Sequence, residues 1–137
     1  MTYLLDTNIL SELIKRRKNA GVLDWLAATS ALDHHVSVLS IGEIRRGISL
    51  LQIRNDHAQA ARYETWLAST LTQFADRIVP VDTEIAQHWG HSDAVRPMPT
   101  ADALIGATAA VHGWSLVTRN TKDFEPLQIR LINPFTS

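Results

Sequence analysis

The chain has 137 residues, 45% of them hydrophobic and 20% charged, with a formal net charge of −1. That length suits one domain with its own core, and the composition is that of an ordinary globular chain. There is no cysteine, which excludes disulfides, zinc fingers and thiol catalysis and makes a reducing cytoplasm the expected compartment. The first residues run straight into an apolar strand without a basic-then-apolar leader. The longest weakly polar stretch, 103–111, is too short to span a bilayer, so no membrane role is expected. With so little net charge, any affinity for phosphates must be local. The candidate cations are Lys15-Arg16-Arg17-Lys18, Arg45-Arg46, Arg54, Arg96 and the pair Arg119 and Lys122.

Residues 2–5 read as a short, wholly apolar strand of the buried parallel kind. Helices are expected over about 8–15 and 20–28, then a strand over 36–39. A helix with Ile41, Ile44, Ile48 and Leu51 on its core face follows. The next helix is long, with Ala60, Tyr63, Leu67, Leu71 and Phe74 at heptad-like spacing. A strand over 78–81 leads to Asp82, an N-cap for a helix over 83–95 that Pro97 and Pro99 break. Thr100 is expected to cap an alanine-rich helix that runs to His112 and stops at Gly113. Strands over 115–117 and 128–131 complete the chain. Strands alternate with helices throughout, so the fold class is α/β, with a mostly parallel central sheet and helices on both faces.

Four acids carry the chemistry. Asp6 follows Tyr3-Leu4-Leu5, Glu43 lies one turn past the strand at 36–39, Asp102 opens the alanine-rich helix, and Asp123 lies just past Leu116-Val117. In an open α/β sheet such positions converge on one crevice at the carboxyl ends of the strands. Each has a bland account: Asp6 as a helix N-cap, Asp102 and Asp123 as first-turn acids, and Glu43 as the partner of Ser40 in a capping box. Together they are harder to dismiss, because Asp6 and Asp102 adjoin apolar segments and no arginine is placed beside either. Carboxylates gathered in one crevice repel and take up protons unless a divalent cation joins them. The reading is a metal-dependent enzyme.

Leu4-Leu5-Asp6-Thr7-Asn8, Gly42-Glu43-Ile44, the run Thr100-Ala101-Asp102-Ala103-Leu104-Ile105-Gly106-Ala107-Thr108-Ala109, and Thr118-Arg119-Asn120-Thr121-Lys122-Asp123-Phe124 resemble the signatures of PIN-domain nucleases. More closely, the chain is similar to the VapC/FitB-type toxins of bacterial toxin–antitoxin pairs, from its first strand to Ile132-Asn133-Pro134-Phe135. The resemblance implies a PIN-like three-layer fold and a Mg²⁺- or Mn²⁺-dependent endoribonuclease. Asp6, Glu43, Asp102 and Asp123 would be its catalytic and metal-binding set. It also implies a homodimer, neutralised by a cognate antitoxin. Cleaving an RNA phosphodiester needs charge neutralised on the phosphoryl oxygens and a water deprotonated near neutral pH, and carboxylate-held hard cations do both. Two or three acids are expected in direct contact, the rest acting through water. Asn8, Thr118 and Asn120 are placed to orient those ligands. Arg45, Arg46, Arg96, Arg119 and Lys122 are candidate RNA contacts, and the aromatic helix around Trp66 is the expected antitoxin surface.

Other readings compete. An aspartyl-phosphate enzyme also begins with a strand-end Asp, but it needs a second acid where this chain has Asn8. A non-catalytic RNA- or partner-binding module would tolerate loss of an acid, and none is missing. His88 and His91 have metal-ligand spacing, yet a solvated helix face explains them better, and His34-His35, ahead of a strand, is read the same way. Lys15–Lys18 suits a solvated helix end. Trp25, Trp66, Trp89 and Trp114 are core or interface residues before they are base-stacking platforms.

Overall fold

A computed structural model describes residues 1–136 of the chain. Five strands form one sheet in the order β3-β2-β1-β4-β5, and every pairing is parallel. The strands are β1 (Tyr3–Leu5), β2 (His34–Ser37), β3 (Ile78–Val79), β4 (Ser115–Val117) and β5 (Leu131–Ile132). Helices α1 (Thr7–Ile14), α2 (Ala20–Ala28), α3 (Val38–Ile53) and α4 (His57–Gln73) occupy the first part of the chain. Helices α5 (Thr83–Val95), α6 (Thr100–His112) and α7 (Thr121–Phe124) follow β3 and β4.

Alternation along the short strands explains the layers. Successive side chains point to opposite faces of a sheet. Leu5, Val36 and Val117 pack with Ile9 and Leu10 of α1, Val22 of α2, Ile44 and Ile48 of α3, and Leu67 of α4. Leu4 and Leu116 face the other way, onto Ile105 and Ala109 of α6 and Phe124 of α7. Every strand residue of β1 and β4 therefore meets apolar or polar protein on both sides, which is why these strands read as apolar runs rather than as alternating ones. The chain is α/β with helices on both faces, as its element pattern implied. The sheet is parallel throughout the described residues.

β1 lies at the centre, with the chain passing to β2 and β3 on one side before returning to β4 and β5 on the other. The order reverses between β1 and β4, and that is where open α/β sheets place their ligands. Asp6 follows β1 at this point, Thr118 follows β4, and the Asp6 amide donates to the Val117 carbonyl at 2.9 Å.

Several boundaries differ from expectation. β2 starts two residues earlier and ends at Ser37, whose hydroxyl accepts from the Leu39 amide and begins α3. Val38 and Leu39 are thus helical. Ser40 sits in the first turn and is fully buried, so it forms no capping box with Glu43. His34 and His35 lie inside β2. His34 is buried, stacked on Trp25 at 5.3 Å, with its Nε2 2.6 Å from the Thr29 hydroxyl, so the solvated reading of this pair is wrong. His88 and His91 are exposed. Leu71 is 37% exposed and falls off the α4 core face. β3 stops at Val79, short of the expected 81, although Asp82 does cap α5 by accepting from the Ile85 amide. Pro99, not Thr100, is the residue before α6, and Gly113 ends that helix in the left-handed region at φ 69°. Gln128 also takes a left-handed conformation, so the last strand forms at Leu131–Ile132 and not over 128–131.

The C-terminal segment locks onto α2 at Gly21. A β-carbon there would stand 2.4 Å from the Pro134 carbonyl oxygen and 2.8 Å from the Thr136 amide nitrogen, both backbone atoms. Gly21→Val should therefore lower stability by about 1–3 kcal/mol, measured as a fall in thermal melting temperature, whereas Gly90→Ala, which meets open space, should not.

Candidate active site

Asp6 is the best-held acid. It is 4% exposed and caps α1, with Oδ1 accepting from the Thr7 amide at 2.8 Å. The Thr118 hydroxyl donates to its Oδ2 at 2.8 Å, and Asn8 Nδ2 donates to the same oxygen at 3.4 Å. Thr118 is itself buried and accepts from Asn8 Nδ2 and from the Asn120 amide. Asn8 Oδ1 accepts from the Arg119 amide. Asn8 thus ties the ends of β1 and β4 together, which is more than a local helix-start bond.

Glu43 reaches the same place from α3. Its Oε1 lies 2.8 Å from the Thr7 hydroxyl, which is also 2.8 Å from Ser40 Oγ. Burying Ser40 rather than using it as a cap gives Thr7 a fixed neighbour, and Thr7 in turn holds the otherwise exposed Glu43 carboxylate. Sequence reasoning missed this role for Ser40. The signal was present, since a serine three residues into a helix that also follows a capping Ser37 has no capping work left to do.

Asp102 enters from the first turn of α6 and is half-buried. One crevice is lined by Asp6, Asn8, Glu43, Asp102 and Asn120, together with Thr7 and Ser11. Asp123, on α7, is exposed and stands outside this lining, though its charge reaches Asp102. Thr118 stands behind the crevice. The expected basic contacts are dispersed. Arg45 is ion-paired to Glu64 at 2.5 Å, Arg119 lies over the Phe135 ring at 4.8 Å, and Arg96 borders a hollow between α5 and α6. Arg46 and Lys122 are exposed and, like the other three, do not line the acid crevice.

The electrostatics follow from this placement. Burial first of all pushes the Asp6 carboxyl above its ordinary range. The bonds from Thr118 and the Thr7 amide oppose the rise, and the charges of Asp102 and Glu43 add to it. Asp102 is raised by burial, then by Glu43 and Asp123. Among the described residues the ion pairs join Lys15 to Glu12, Arg45 to Glu64 and Arg77 to Asp76, so no lysine or arginine neutralises any of the four acids. Nor do any three His, Asp or Glu side chains among those residues close to the spacing that would hold one ion directly. Oxygen-only donors, raised carboxyls and no cationic partner fit a hard cation that keeps much of its water, as Mg²⁺ does, and not a zinc site.

A doubly wound parallel sheet with an all-oxygen acidic crevice at its switch point defines the class. The PIN domain family model matches residues 3–127, and the chain belongs to the PIN-domain family. It is 33% identical to the plasmid stability protein StbB of Pseudomonas syringae pv. tomato, over 96% of this chain and 97% of that one. It is 31% identical to toxin FitB of Neisseria gonorrhoeae at the same coverages, and 29% identical to the VapC ribonuclease Y4jK of Sinorhizobium fredii over 96% of each. The crystal structure of FitAcB from Neisseria gonorrhoeae superposes with a TM-score of 0.82, at 30% identity over 97% of this chain and 98% of that one.

The raised carboxyls fix the sign of a pH effect. Asp6 and Asp102 bind protons more tightly folded than unfolded, so stability they contribute is complete below the unfolded carboxylate range and is lost as pH rises through their folded values. The metal-free protein should therefore melt at a higher temperature in mild acid than at neutrality, and Asp102→Asn should flatten that slope. Thermal melts across this pH range in EDTA measure both. Thr118→Val removes the hydroxyl bonded to charged Asp6, at a cost of about 1.5–3 kcal/mol at neutral pH. It should also move the Asp6 titration further up, read by carboxyl-carbon NMR.

Proposed function

We infer that this chain is the endoribonuclease toxin of a toxin–antitoxin pair. It hydrolyses RNA phosphodiester bonds at the crevice formed by Asp6, Glu43 and Asp102 with Asp123 at its edge, using Mg²⁺ or Mn²⁺. One observation carries the reading. Carboxylates from separate helices and strand ends are held around a single crevice, two of them above their normal range, with no protein cation to balance them. The relatives named toxin and VapC ribonuclease support the same activity.

The chain's own residues divide the work. Asp6 is the fixed anchor, because three hydrogen bonds and burial leave its carboxylate one orientation. Glu43 and Asp102 line the same crevice from different helices, and with Asp6 they would hold a divalent ion that keeps much of its water. Asn120 lines the crevice and brings an amide without charge, suited to orienting water or a phosphate oxygen. A bound divalent ion would supply positive charge to the phosphoryl oxygens and lower the pKa of the attacking water. Outside the crevice the dispersed arginines and near-neutral net charge leave the single chain a weak long-range pull on RNA. A homodimer lengthens the basic rim, and a cognate antitoxin silences the site by presenting an arginine to the carboxylates.

Purified protein should cleave RNA with Mg²⁺ or Mn²⁺ and stop on adding EDTA. Asp6→Asn or Asp102→Asn should lower the rate by at least about a hundredfold while circular dichroism stays native, since the amide keeps the shape and removes the charge. Undiminished cleavage in EDTA, or by either variant, would sink this reading.

A further inference from the structure

The segment that follows β5 starts beside the loop that follows β4. The Thr118 amide donates to the Ile132 carbonyl at 2.9 Å, so the two leave the sheet side by side. Asn133 Oδ1 then accepts from the Phe135 amide at 3.0 Å, a local turn that fixes the backbone at Phe135. Pro134 is buried, and its carbonyl lies against Gly21. One residue past Phe135, Thr136 and Asn19 exchange hydrogen bonds. The Thr136 amide donates to Asn19 Oδ1 at 3.1 Å, and Asn19 Nδ2 donates to the Thr136 carbonyl at 3.0 Å. Asn19 also caps α2, and its amide donates to Glu12, a buried carboxylate of α1. Phe135 is therefore pinned on both sides.

The half-buried Phe135 ring packs on the core and carries the Arg119 guanidinium, 4.8 Å from its centre. Arg119 is otherwise exposed and has no carboxylate in ion-pair contact among the described residues. Its backbone does different work. The Arg119 amide donates to Asn8 Oδ1 at 3.2 Å, while Asn8 Nδ2 donates to Thr118 and to Asp6. A carboxamide has an accepting end and a donating end. Turned around, Asn8 would set its NH₂ group against the Arg119 N–H and its oxygen against the Asp6 carboxylate. The Arg119 amide thus determines which end of Asn8 meets Asp6. Asn120, the next residue, lines the crevice. One residue joins the ring of Phe135 to the amide of Asn8.

We propose that Phe135 is a positioning residue for the acid crevice: its ring holds Arg119, and with it the loop of residues 118–120, where the Arg119 amide orients Asn8 and Asn120 lines the site. The proposal rests on the ribonuclease reading above and extends it to a side chain outside the crevice. It also gives Arg119 a role other than contact with RNA. A lost phosphate contact weakens binding and raises KM, whereas a displaced catalytic group lowers kcat. Ring chemistry separates positioning from plain packing. Leucine at 135 keeps an apolar side chain but offers no π face to a cation, and tyrosine keeps the face.

Phe135→Leu, Phe135→Tyr and Arg119→Met are compared with the wild type by two readouts. The first is cleavage of an RNA oligonucleotide in Mg²⁺. Phe135→Leu should lower kcat at least about fivefold with KM within about twofold, because small displacements near the chemistry act on rate. Phe135→Tyr should cut as the wild type does. Arg119→Met should match Phe135→Leu, and the double variant should be no slower than either single one, since both remove the same link. The second readout is the side-chain amide signals of Asn8 in metal-free protein, followed by NMR. They should move in Phe135→Leu and Arg119→Met and keep their place in Phe135→Tyr. The proposal is overturned if Phe135→Leu leaves either kcat or the Asn8 signals unchanged. It is also overturned if Phe135→Tyr is as slow as Phe135→Leu, if the two single losses multiply, or if Arg119→Met raises KM and spares kcat. Should Phe135→Leu fail to fold, Arg119→Met, at an exposed position, is judged by the same two readouts. Failure of the ribonuclease reading looks different: the wild type itself would then make no cut that EDTA stops.

Discussion

Like charges must be brought together at the carboxyl edge of this sheet, and nearly every polar detail around that edge serves to make the gathering tolerable. Asp6 is buried beside β1, where an isolated carboxylate would be costly. Three donors meet it there: the Thr7 amide, the Thr118 hydroxyl and Asn8 Nδ2. They reduce the desolvation cost without supplying positive charge, and its carboxyl remains raised. The excess negative potential is thus left in place, available to whatever cation enters. An arginine in the same position would have stabilised the fold and closed the site.

The apolar scaffold makes that placement rigid. Leu4 and Leu5 bury their side chains on opposite faces of β1, and Leu116 and Val117 do the same on β4. With both strands fixed in register, the residues immediately after them, Asp6 and Thr118, are fixed as well. Glu43 and Asp102 come from helices whose buried faces, Ile44 and Ile48 in α3 and Ile105 and Ala109 in α6, dock onto those two layers. Precision therefore declines outward: Asp6 has one orientation, Glu43 is held by the Thr7 hydroxyl alone, and Asp123 is exposed at the edge. A hydrated ion needs that tolerance, since its waters must fit between protein ligands.

This gradient also marks what could be read from the amino acids alone. The apolar runs of β1 and β4, the helix face of Ile44, Ile48 and Leu51, and the stops at Pro97 and Gly113 are local signals, and they gave the α/β order and the convergence of Asp6, Glu43 and Asp102. Boundaries decided by one side chain were less legible. Val36–Leu39 is an unbroken apolar run, and periodicity cannot tell its helical second half from strand; the Ser37 hydroxyl decides it. His34 reads as exposed until Trp25 and Thr29, from a different helix and its end, are seen to cover it. Arg45 sits only two residues from Glu43, but that is about half a turn of α3, and its helix face turns it to Glu64 on α4. Such facts depend on which elements become neighbours, and no window of residues contains them.

On the reading proposed above, the sign of the charge in the crevice would tie phosphate binding there to a cation. A phosphate approaching Asp6, Glu43 and Asp102 would be repelled until an ion reversed the local sign. Arg16 and Arg62 border a separate hollow and have no carboxylate partner among the described residues, so a phosphate there would meet positive charge without an ion. Removing the ion should then weaken RNA binding only partly. Isothermal titration of the unaltered chain with a non-cleavable oligonucleotide analogue, with and without Mn²⁺ and at two salt concentrations, separates the ion-dependent contribution from the salt-sensitive one.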